Sequence, residues 1–187
     1  MKKILFIDRD GTLIIEPPDE QIDSLEKLEY YPGVFSWLSR IASETDFELV
    51  MVTNQDGLGT SSFPEETFWP AQNKILKTFE NEAVKFSKIF IDRSLPHENK
   101  PTRKPGVGML TEFFSNQYDL GNSFVIGDRL TDIEMARNLG TKGILLNNGS
   151  LSKKIEEKAL QNFCSFTTVS WKEIYTFLVS PSRKASV

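Results

Sequence analysis

The sequence has very few residues of the kinds that build disulfides and zinc sites, with one cysteine, Cys164, and one histidine, His97, among 187 residues. A single cysteine excludes an internal disulfide framework and a zinc site made of several cysteines from one chain. Basic residues are not in excess either, since 22 lysines and arginines face 26 aspartates and glutamates and the formal charge is −4. This balance argues against sequence-independent binding to nucleic acid, which uses a basic face.

Long hydrophobic runs and glycine-rich nucleotide motifs are also missing. No apolar run approaches the ~20 residues that a membrane span requires. The apolar stretch at the N-terminus ends in charge at Asp8, which is not typical of a signal peptide. Without a P-loop or a GxGxxG pattern, neither a Walker site nor a dinucleotide site is supported. We therefore expect one cytoplasmic domain that binds neither membrane nor nucleic acid.

Short apolar runs alternate with longer amphipathic stretches along the chain. The predicted strands are 3–7, 48–52, 88–91, 123–126, 143–146 and a weaker 165–169. The predicted helices are 33–43, 64–84, 105–118, 131–139, 152–161 and 171–178. Continuous apolar runs of about five residues are typical of parallel strands covered on both faces. The alternation therefore predicts an α/β fold with a central parallel sheet.

Polar residues follow four of the predicted strands, at the ends where an open parallel sheet binds its ligands. They are Asp8-Arg9-Asp10-Gly11-Thr12, Thr53-Asn54, Arg103-Lys104 and Gly127-Asp128 with Asp132. If the second and fourth strands flank the first, these segments converge on one crevice. Four carboxylates in a small space need a cation, and their hard oxygen ligands favour Mg²⁺.

A carboxylate cluster beside an anion site is typical of phosphoryl transfer. Lys104 and the donors near Thr53 would bind the anion. Asp8 and Asp10 are two residues apart, and Gly11 permits a tight turn that lets both face the crevice. One of these two carboxylates can attack phosphorus, and the other can donate a proton to the leaving oxygen.

These residues resemble the four motifs of haloacid dehalogenase (HAD) superfamily phosphatases, which occur here in the same order over roughly residues 1–150. The motifs are Asp8-x-Asp10-Gly11-Thr12, Thr53-Asn54, Lys104-Pro105 and Gly127-Asp128-x-x-x-Asp132. The resemblance implies a three-layer Rossmann-like HAD fold with a central parallel sheet. It also implies a capless enzyme, because no insertion between the motifs is long enough for a large cap domain.

The resemblance assigns a role to each motif. Asp8 would be the nucleophile that forms an aspartyl-phosphate, and Asp10 would be the general acid and then the base for the hydrolytic water. Mg²⁺ would bind to Asp8, to Asp128 and to the backbone carbonyl of Asp10. Thr53, Asn54 and Lys104 would hold the phosphate oxygens. Supporting roles fall to Gly11, Gly127 and Asp132, with Asp132 a candidate partner for Lys104.

A finer resemblance is to the histidinol-phosphate phosphatase family. It is carried by FIDRDGTLI, EPP, VTNQDGLGT and VIGDR, and it implies hydrolysis of L-histidinol phosphate in histidine biosynthesis. Glu16 and Arg103 are then candidates for substrate binding. In some bacteria this domain is the N-terminal part of a bifunctional enzyme whose partner domain is imidazoleglycerol-phosphate dehydratase. We therefore interpret 1–180 as the phosphatase domain and 181–187 as a tail or the start of a linker.

One segment departs from the family pattern, and three alternatives stay open. Relatives often carry a structural zinc loop with three cysteines and a histidine before the Arg-Lys-Pro motif, but segment 92–102 has no cysteine and its histidine is displaced. We therefore expect no zinc. Alternative activities are a related phosphatase for a heptose-type sugar bisphosphate, a polynucleotide 3′-phosphatase, and a receiver-like phosphoacceptor module, which would not need Asp10. Arg9 and Arg129 are either surface charges or substrate contacts.

Overall fold

A six-stranded parallel sheet forms the centre of the fold. The computed structural model describes residues 1–180, so the predicted tail or linker at 181–187 lies outside the described residues. The strands are β1 Lys3–Ile7, β2 Phe47–Asn54, β3 Lys88–Asp92, β4 Phe124–Gly127, β5 Lys142–Leu146 and β6 Cys164–Thr168. Their order across the sheet is β3-β2-β1-β4-β5-β6, and every neighbouring pair is parallel. Strands β2 and β4 therefore flank β1, which is the arrangement that a convergent crevice requires.

Helices cover both faces of this sheet. They are α1 Val34–Glu44, α2 Glu65–Asn81, α3 Leu130–Leu139, α4 Ser152–Glu157 and α5 Trp171–Val179. Side chains alternate across a strand, so Leu5 and Ile7 pack in one hydrophobic cluster with α1, α2 and α5. Ile4 and Phe6 pack in a second cluster with α3 on the other face. The result is the expected three-layer α/β architecture.

The predicted helix at 105–118 is wrong in type and in extent. The chain there forms an irregular 3₁₀ segment, Gly108–Phe114, in which Leu110 departs from helical geometry with φ −110° and ψ 16°. Gly106 and Gly108 lie against the carbonyl of Pro101, where an added Cβ would approach to 2.2 and 2.9 Å. The Gly108 N–H donates to that carbonyl at 2.8 Å. Residues 105–108 therefore close a loop instead of beginning an α-helix.

Two other helices end earlier than predicted. Helix α2 ends at Asn81 because Ala83 has a positive φ of 60°, after which Val84 turns into the core. Helix α4 ends at Glu157, and Ala159 with φ 53° follows it. Residues 8–33, between β1 and α1, contain no helix or multi-residue strand and build loops over the end of the sheet. Within residues 1–180 no helix combines the length and the apolar character needed to cross a membrane.

Candidate active site

Three aspartates come together at the carboxyl ends of the two central strands. Asp8 follows β1, and its N–H donates to the carbonyl of Ile126 in β4 at 2.9 Å, which fixes the backbone between the two strands. Asp128 follows β4 directly, and Asp132 lies in the first turn of α3. Carboxylate oxygens of these three residues lie within 4.8 Å of one another. Asp8 and Asp132 are buried, with 6% and 0% of their surface exposed.

The buried ammonium of Lys104 joins two of these carboxylates. Its Nζ lies 2.7 Å from Asp8 Oδ1 and 2.8 Å from Asp132 Oδ1. Burial lowers the pKa of Lys104, but the charges of Asp132 and Asp8 outweigh burial and shift that pKa upward. Lys104 therefore stays protonated, and the expected pairing with Asp132 is present in the structure.

Asn54 holds the backbone of Lys104 at two points. The Lys104 N–H donates to Asn54 Oδ1 at 3.0 Å, and Asn54 Nδ2 donates to the Lys104 carbonyl at 3.3 Å. These two bonds connect residues 50 apart in the chain. Phosphate binding by Asn54 stays a prediction, and its side-chain amide already holds the lysine backbone in place.

Two of the aspartates, Asp8 and Asp128, are costly to ionise in this environment. Burial raises the pKa of the Asp8 carboxyl well above its usual value, although Lys104 opposes the shift. Burial also raises the pKa of Asp128 to about 7, with a further contribution from the charge of Asp132. Asp128 Oδ1 is buried and has no hydrogen-bond partner among residues 1–180. An unpartnered buried carboxylate oxygen is the kind of ligand that a cation would take.

Arg9 supplies a second positive charge beneath the site. It is wholly buried, with its guanidinium 5.0 Å from the centre of the Phe68 ring and its Nη1 3.6 Å from Asp10 Oδ2. None of its side-chain nitrogens has a hydrogen-bond partner among the described residues. Arg9 is therefore not a surface charge. Nothing local to an Asp-Arg-Asp segment indicates which side chain enters the core, so the burial of Arg9 was not predictable from its neighbours in the sequence.

A network of polar groups holds Asp10. Asp10 Oδ2 accepts a hydrogen bond from Gln55 Nε2 at 2.6 Å and one from Thr53 Oγ1 at 3.4 Å. Gln55 Nε2 also lies 2.8 Å from Thr53 Oγ1, and Gln55 is buried with 4% exposed. Gln55 was not among the site residues predicted from the sequence. Its position directly after β2, beside Thr53-Asn54, is the signal that would have identified it.

Two glycines give the carboxylates room. Gly11 has a positive φ of 71°, and a Cβ there would lie 2.4 Å from Asp128 Oδ2. A Cβ on Gly127 would lie 2.2 Å from Asp132 Oδ2. Glycine at these two positions therefore lets Asp128 and Asp132 approach the backbone of the neighbouring loops.

A cavity of about 530 Å³ opens over Asp8 and Asp10. Six acidic and four basic side chains line it: Asp8, Asp10, Glu16, Asp19, Glu20, Asp56, Lys100, Arg103, Lys104 and Arg129. Glu16 and Arg103, the candidates for substrate binding, are both in this lining. Glu16 accepts two hydrogen bonds of 2.7 Å from Arg129 Nη2, and Arg103 forms a two-point ion pair with Asp56. Both side chains therefore shape the wall through partners within the protein.

Comparison with known proteins gives a consistent result. A family model described as HAD-hydrolase-like matches residues 101–165. The chain is 56% identical over 188 residues to the histidine biosynthesis bifunctional protein HisB of Bacteroides fragilis, and 55% identical over 195 residues to the HisB protein of Spirosoma linguale. All of this chain is covered, but only 50% and 51% of the relatives. The chain thus spans about half the length of these relatives.

A solved structure resembles the chain over nearly its whole length. It is the D,D-heptose 1,7-bisphosphate phosphatase from B. bronchiseptica complexed with magnesium and phosphate, with a TM-score of 0.80 and 24% sequence identity. The match covers 96% of this chain and 98% of that one. At this level of identity the likeness establishes the shared fold.

Proposed function

The chain belongs to the HAD superfamily, and we propose that it hydrolyses L-histidinol phosphate to L-histidinol and inorganic phosphate. The observation that carries the proposal is a cavity lined by Asp8, Asp10 and Lys104, with Asp128 clustered beside Asp8, in a chain 56% identical to a histidine biosynthesis protein. Two carboxylates, a lysine and a cation site are what phosphoryl transfer through an aspartate requires.

The residues present fit a magnesium ion. Asp10 and the three clustered aspartates face two buried cations, Lys104 and Arg9, so the fully ionised site would carry two negative charges in excess. The unpartnered Oδ1 of Asp128 and the high pKa of that carboxyl are features that a divalent cation would relieve. We propose that Asp8, Asp128 and the Asp10 backbone carbonyl hold Mg²⁺. When bound, the ion would neutralise charge on the transferring phosphoryl group.

The first chemical step would use Asp8 as the nucleophile. Lys104 and the Arg9 N–H both bind Asp8 Oδ1, which orients the carboxylate and leaves Oδ2 for attack on phosphorus. The new Asp8–phosphorus bond forms as the bond to the histidinol oxygen breaks. Asp10 donates its proton to that leaving oxygen, which prevents release of a high-energy alkoxide.

The second step would return the enzyme to its starting state. Asp10, now ionised, removes a proton from a water molecule whose oxygen attacks the phosphorus, and Asp8 is released as a carboxylate. Gln55 and Thr53 hold Asp10 Oδ2 through both steps, since both contact that oxygen. Lys104 stabilises the negative charge on the phosphoryl oxygens, because its pKa keeps it protonated.

The charge of the cavity favours a substrate with a cationic end. The wall carries three acids from the loop after β1, Glu16, Asp19 and Glu20. Each pairs with Arg129 or Lys27 in this structure, and a cationic substrate group would take the place of that partner. Histidinol phosphate carries an ammonium group and an imidazole, which such a wall would attract, whereas the second phosphate of a sugar bisphosphate would meet these acids.

Release of phosphate from L-histidinol phosphate with Mg²⁺ tests the proposal directly. The comparison panel should contain a heptose 1,7-bisphosphate and a polynucleotide 3′-phosphate. We expect kcat/KM to be highest for histidinol phosphate and Asp8→Asn to abolish turnover. A higher kcat/KM for either panel substrate would contradict the substrate assignment. A stable phosphoaspartate without turnover would point to a receiver-like module instead.

We also propose the wider setting that the sequence suggests. The HisB relatives are about twice as long as the matching region and are described as bifunctional. We therefore propose a covalently linked dehydratase domain as the partner in the full-length protein, a small phosphorylated substrate and a cytoplasmic location. Mass measurement of the protein purified from its native source would test the fusion.

A further inference from the structure

The loop that delivers Lys104 to the site has no hydrophobic anchor of its own. Residues 95–101 are all exposed, and the hydrophobic clusters within residues 1–180 include no residue between 93 and 103. The Lys104 ammonium nevertheless sits within 2.8 Å of two buried carboxylates. Something other than apolar packing must therefore define the path of this loop.

The buried carboxylate of Asp92, at the start of the loop, holds the two ends of the loop together. Asp92 ends β3 and is 5% exposed. Its Oδ1 accepts hydrogen bonds from the Ser94 N–H at 2.9 Å and from the Ser94 hydroxyl. Its Oδ2 accepts one from the Thr102 hydroxyl at 2.5 Å. The carboxylate thus joins the two ends of the loop across ten residues.

The closed loop is continuous with the lysine. Thr102 is followed by Arg103, whose guanidinium binds Asp56 and donates to the Ser94 carbonyl at 2.8 Å. Lys104 comes next, with its backbone held by Asn54. The Asp92–Thr102 bond is therefore two residues from the catalytic ammonium and restricts where that residue can lie.

We propose that Asp92 and Thr102 are positioning residues for Lys104, and that their charge-assisted hydrogen bond orders this loop in place of a metal or an apolar core. The inference rests on the proposed phosphatase activity. Hydrogen bonds to a charged group contribute more than neutral ones, and burial of Asp92 protects this bond from water. The pair touches neither substrate nor reacting atoms and acts through the position of Lys104.

The test compares Thr102→Val, which keeps the shape and removes the hydroxyl, with Thr102→Ser, which keeps the hydroxyl. Thr45→Val is the matched control, because the Thr45 hydroxyl also donates one hydrogen bond, to the Ile41 carbonyl at 2.6 Å. Thr45 lies just before the N-terminal end of β2, whereas the candidate site lies at the carboxyl end of that strand. For each variant we measure kcat and KM, inhibition by inorganic phosphate, urea unfolding, and amide hydrogen exchange over 93–105.

We expect Thr102→Val to lower kcat/KM about tenfold, which corresponds to about 1.4 kcal/mol, to weaken phosphate inhibition and to accelerate exchange at the Lys104 amide. Thr102→Ser should restore all three. Thr45→Val should lose a similar amount of global stability and keep the wild-type kcat/KM. The proposal is overturned if Thr102→Val retains wild-type kinetics and exchange, if Ser fails to rescue, or if activity follows global stability in all three variants.

Two further arms separate this inference from the proposed function. The first arm uses p-nitrophenyl phosphate as a second substrate for the wild type. If the wild type hydrolyses this compound but not histidinol phosphate, the proposed substrate is wrong, and the loop can still be tested with p-nitrophenyl phosphate. If the wild type hydrolyses neither compound, faster exchange at the Lys104 amide in Thr102→Val decides the positioning claim. Exchange should also stay slow after chelation and readdition of Mg²⁺. Fast exchange that Zn²⁺ alone reverses would show that a metal orders the loop.

Discussion

Replacing Lys104 by methionine tests how the structure balances charge at its centre. Methionine fills a similar volume without a charge, so Asp8 and Asp132 lose the ammonium that lies 2.7 and 2.8 Å from them. Removing one partner from a buried ion pair destabilises a protein by about 3–5 kcal/mol, because the remaining charge is buried without compensation. We expect a loss in this range at pH 7.5 in the absence of Mg²⁺, together with loss of phosphate binding.

The stability that Lys104→Met loses relative to the wild type should decrease as pH falls. The folded-state pKa of Lys104 is raised, so its contribution is fully present below the unfolded value of about 10.4 and is lost only at higher pH. In Lys104→Met the pKa of Asp8, already raised by burial, should rise further. Protonation then relieves the repulsion, and the difference between wild type and variant should shrink as pH falls from 7.5 to 5.

Urea unfolding followed by tryptophan fluorescence measures this effect. Trp171 is buried, and its Nε1 donates to the Thr12 carbonyl at 3.0 Å beside the site, so its emission reports on the folded core. Lys158→Met is the control, since Lys158 pairs with Glu134 at 2.6 Å but is 51% exposed. An exposed pair of this kind contributes about 0–1 kcal/mol.

A double variant separates charge from packing. Adding Asp132→Asn to Lys104→Met removes one of the uncompensated charges and should recover part of the lost stability. Three outcomes would contradict an uncompensated buried charge: a Lys104→Met variant as stable as the wild type at pH 7.5, a stability loss that grows as pH falls, or a further loss when Asp132→Asn is added.

Three further predictions concern the same site. Gln55→Leu removes the donor that lies 2.6 Å from Asp10 Oδ2, and we expect kcat to fall about tenfold with little change in KM. The loss should be smaller than the full contribution of general acid catalysis, about 10²–10⁴, because Thr53 still contacts Asp10. An unchanged kcat in steady-state assays would contradict this role. Gly11→Ala places a methyl group 2.4 Å from Asp128 at φ 71°, and we expect a loss of about 1–2 kcal/mol in urea unfolding and weaker Mg²⁺ binding. Burial raises the pKa of Asp128 to about 7, and Mg²⁺ binds the ionised carboxylate, so the Mg²⁺ dissociation constant should rise about tenfold per pH unit below 7. Calorimetric titrations that give the same dissociation constant at pH 5 and pH 7 would exclude this linkage.

The parts of the fold that depend on local pattern were predictable. Apolar runs and amphipathic stretches indicated six strands and most of the helices, because burial of a strand or a helix face imposes a short sequence period. The predicted helix at 105–118 failed because Gly106 and Gly108 contact the carbonyl of Pro101, a contact that no periodicity reveals.

The candidate site was predictable only as a set of segments. Parallel strands place their carboxyl ends at one edge, so the positions of Asp8, Thr53 and Asp128 after apolar runs indicated a shared crevice. The sequence did not indicate the strand order, which depends on how helices pack on both faces. It was the order with β2 and β4 beside β1 that brought these segments together.

The composition of the sequence excludes an internal disulfide and a zinc site made of several cysteines of one chain, because there is one cysteine. The fold decides which polar side chains are buried and which of them meet. Arg9 enters the core, Gln55 contacts Asp10 across 45 positions, and Asp92 closes the loop before Lys104. The Gln55–Asp10 contact joins residues 45 positions apart, and the Asp92–Thr102 contact spans ten. The strength of both comes from burial, which is a property of the folded molecule.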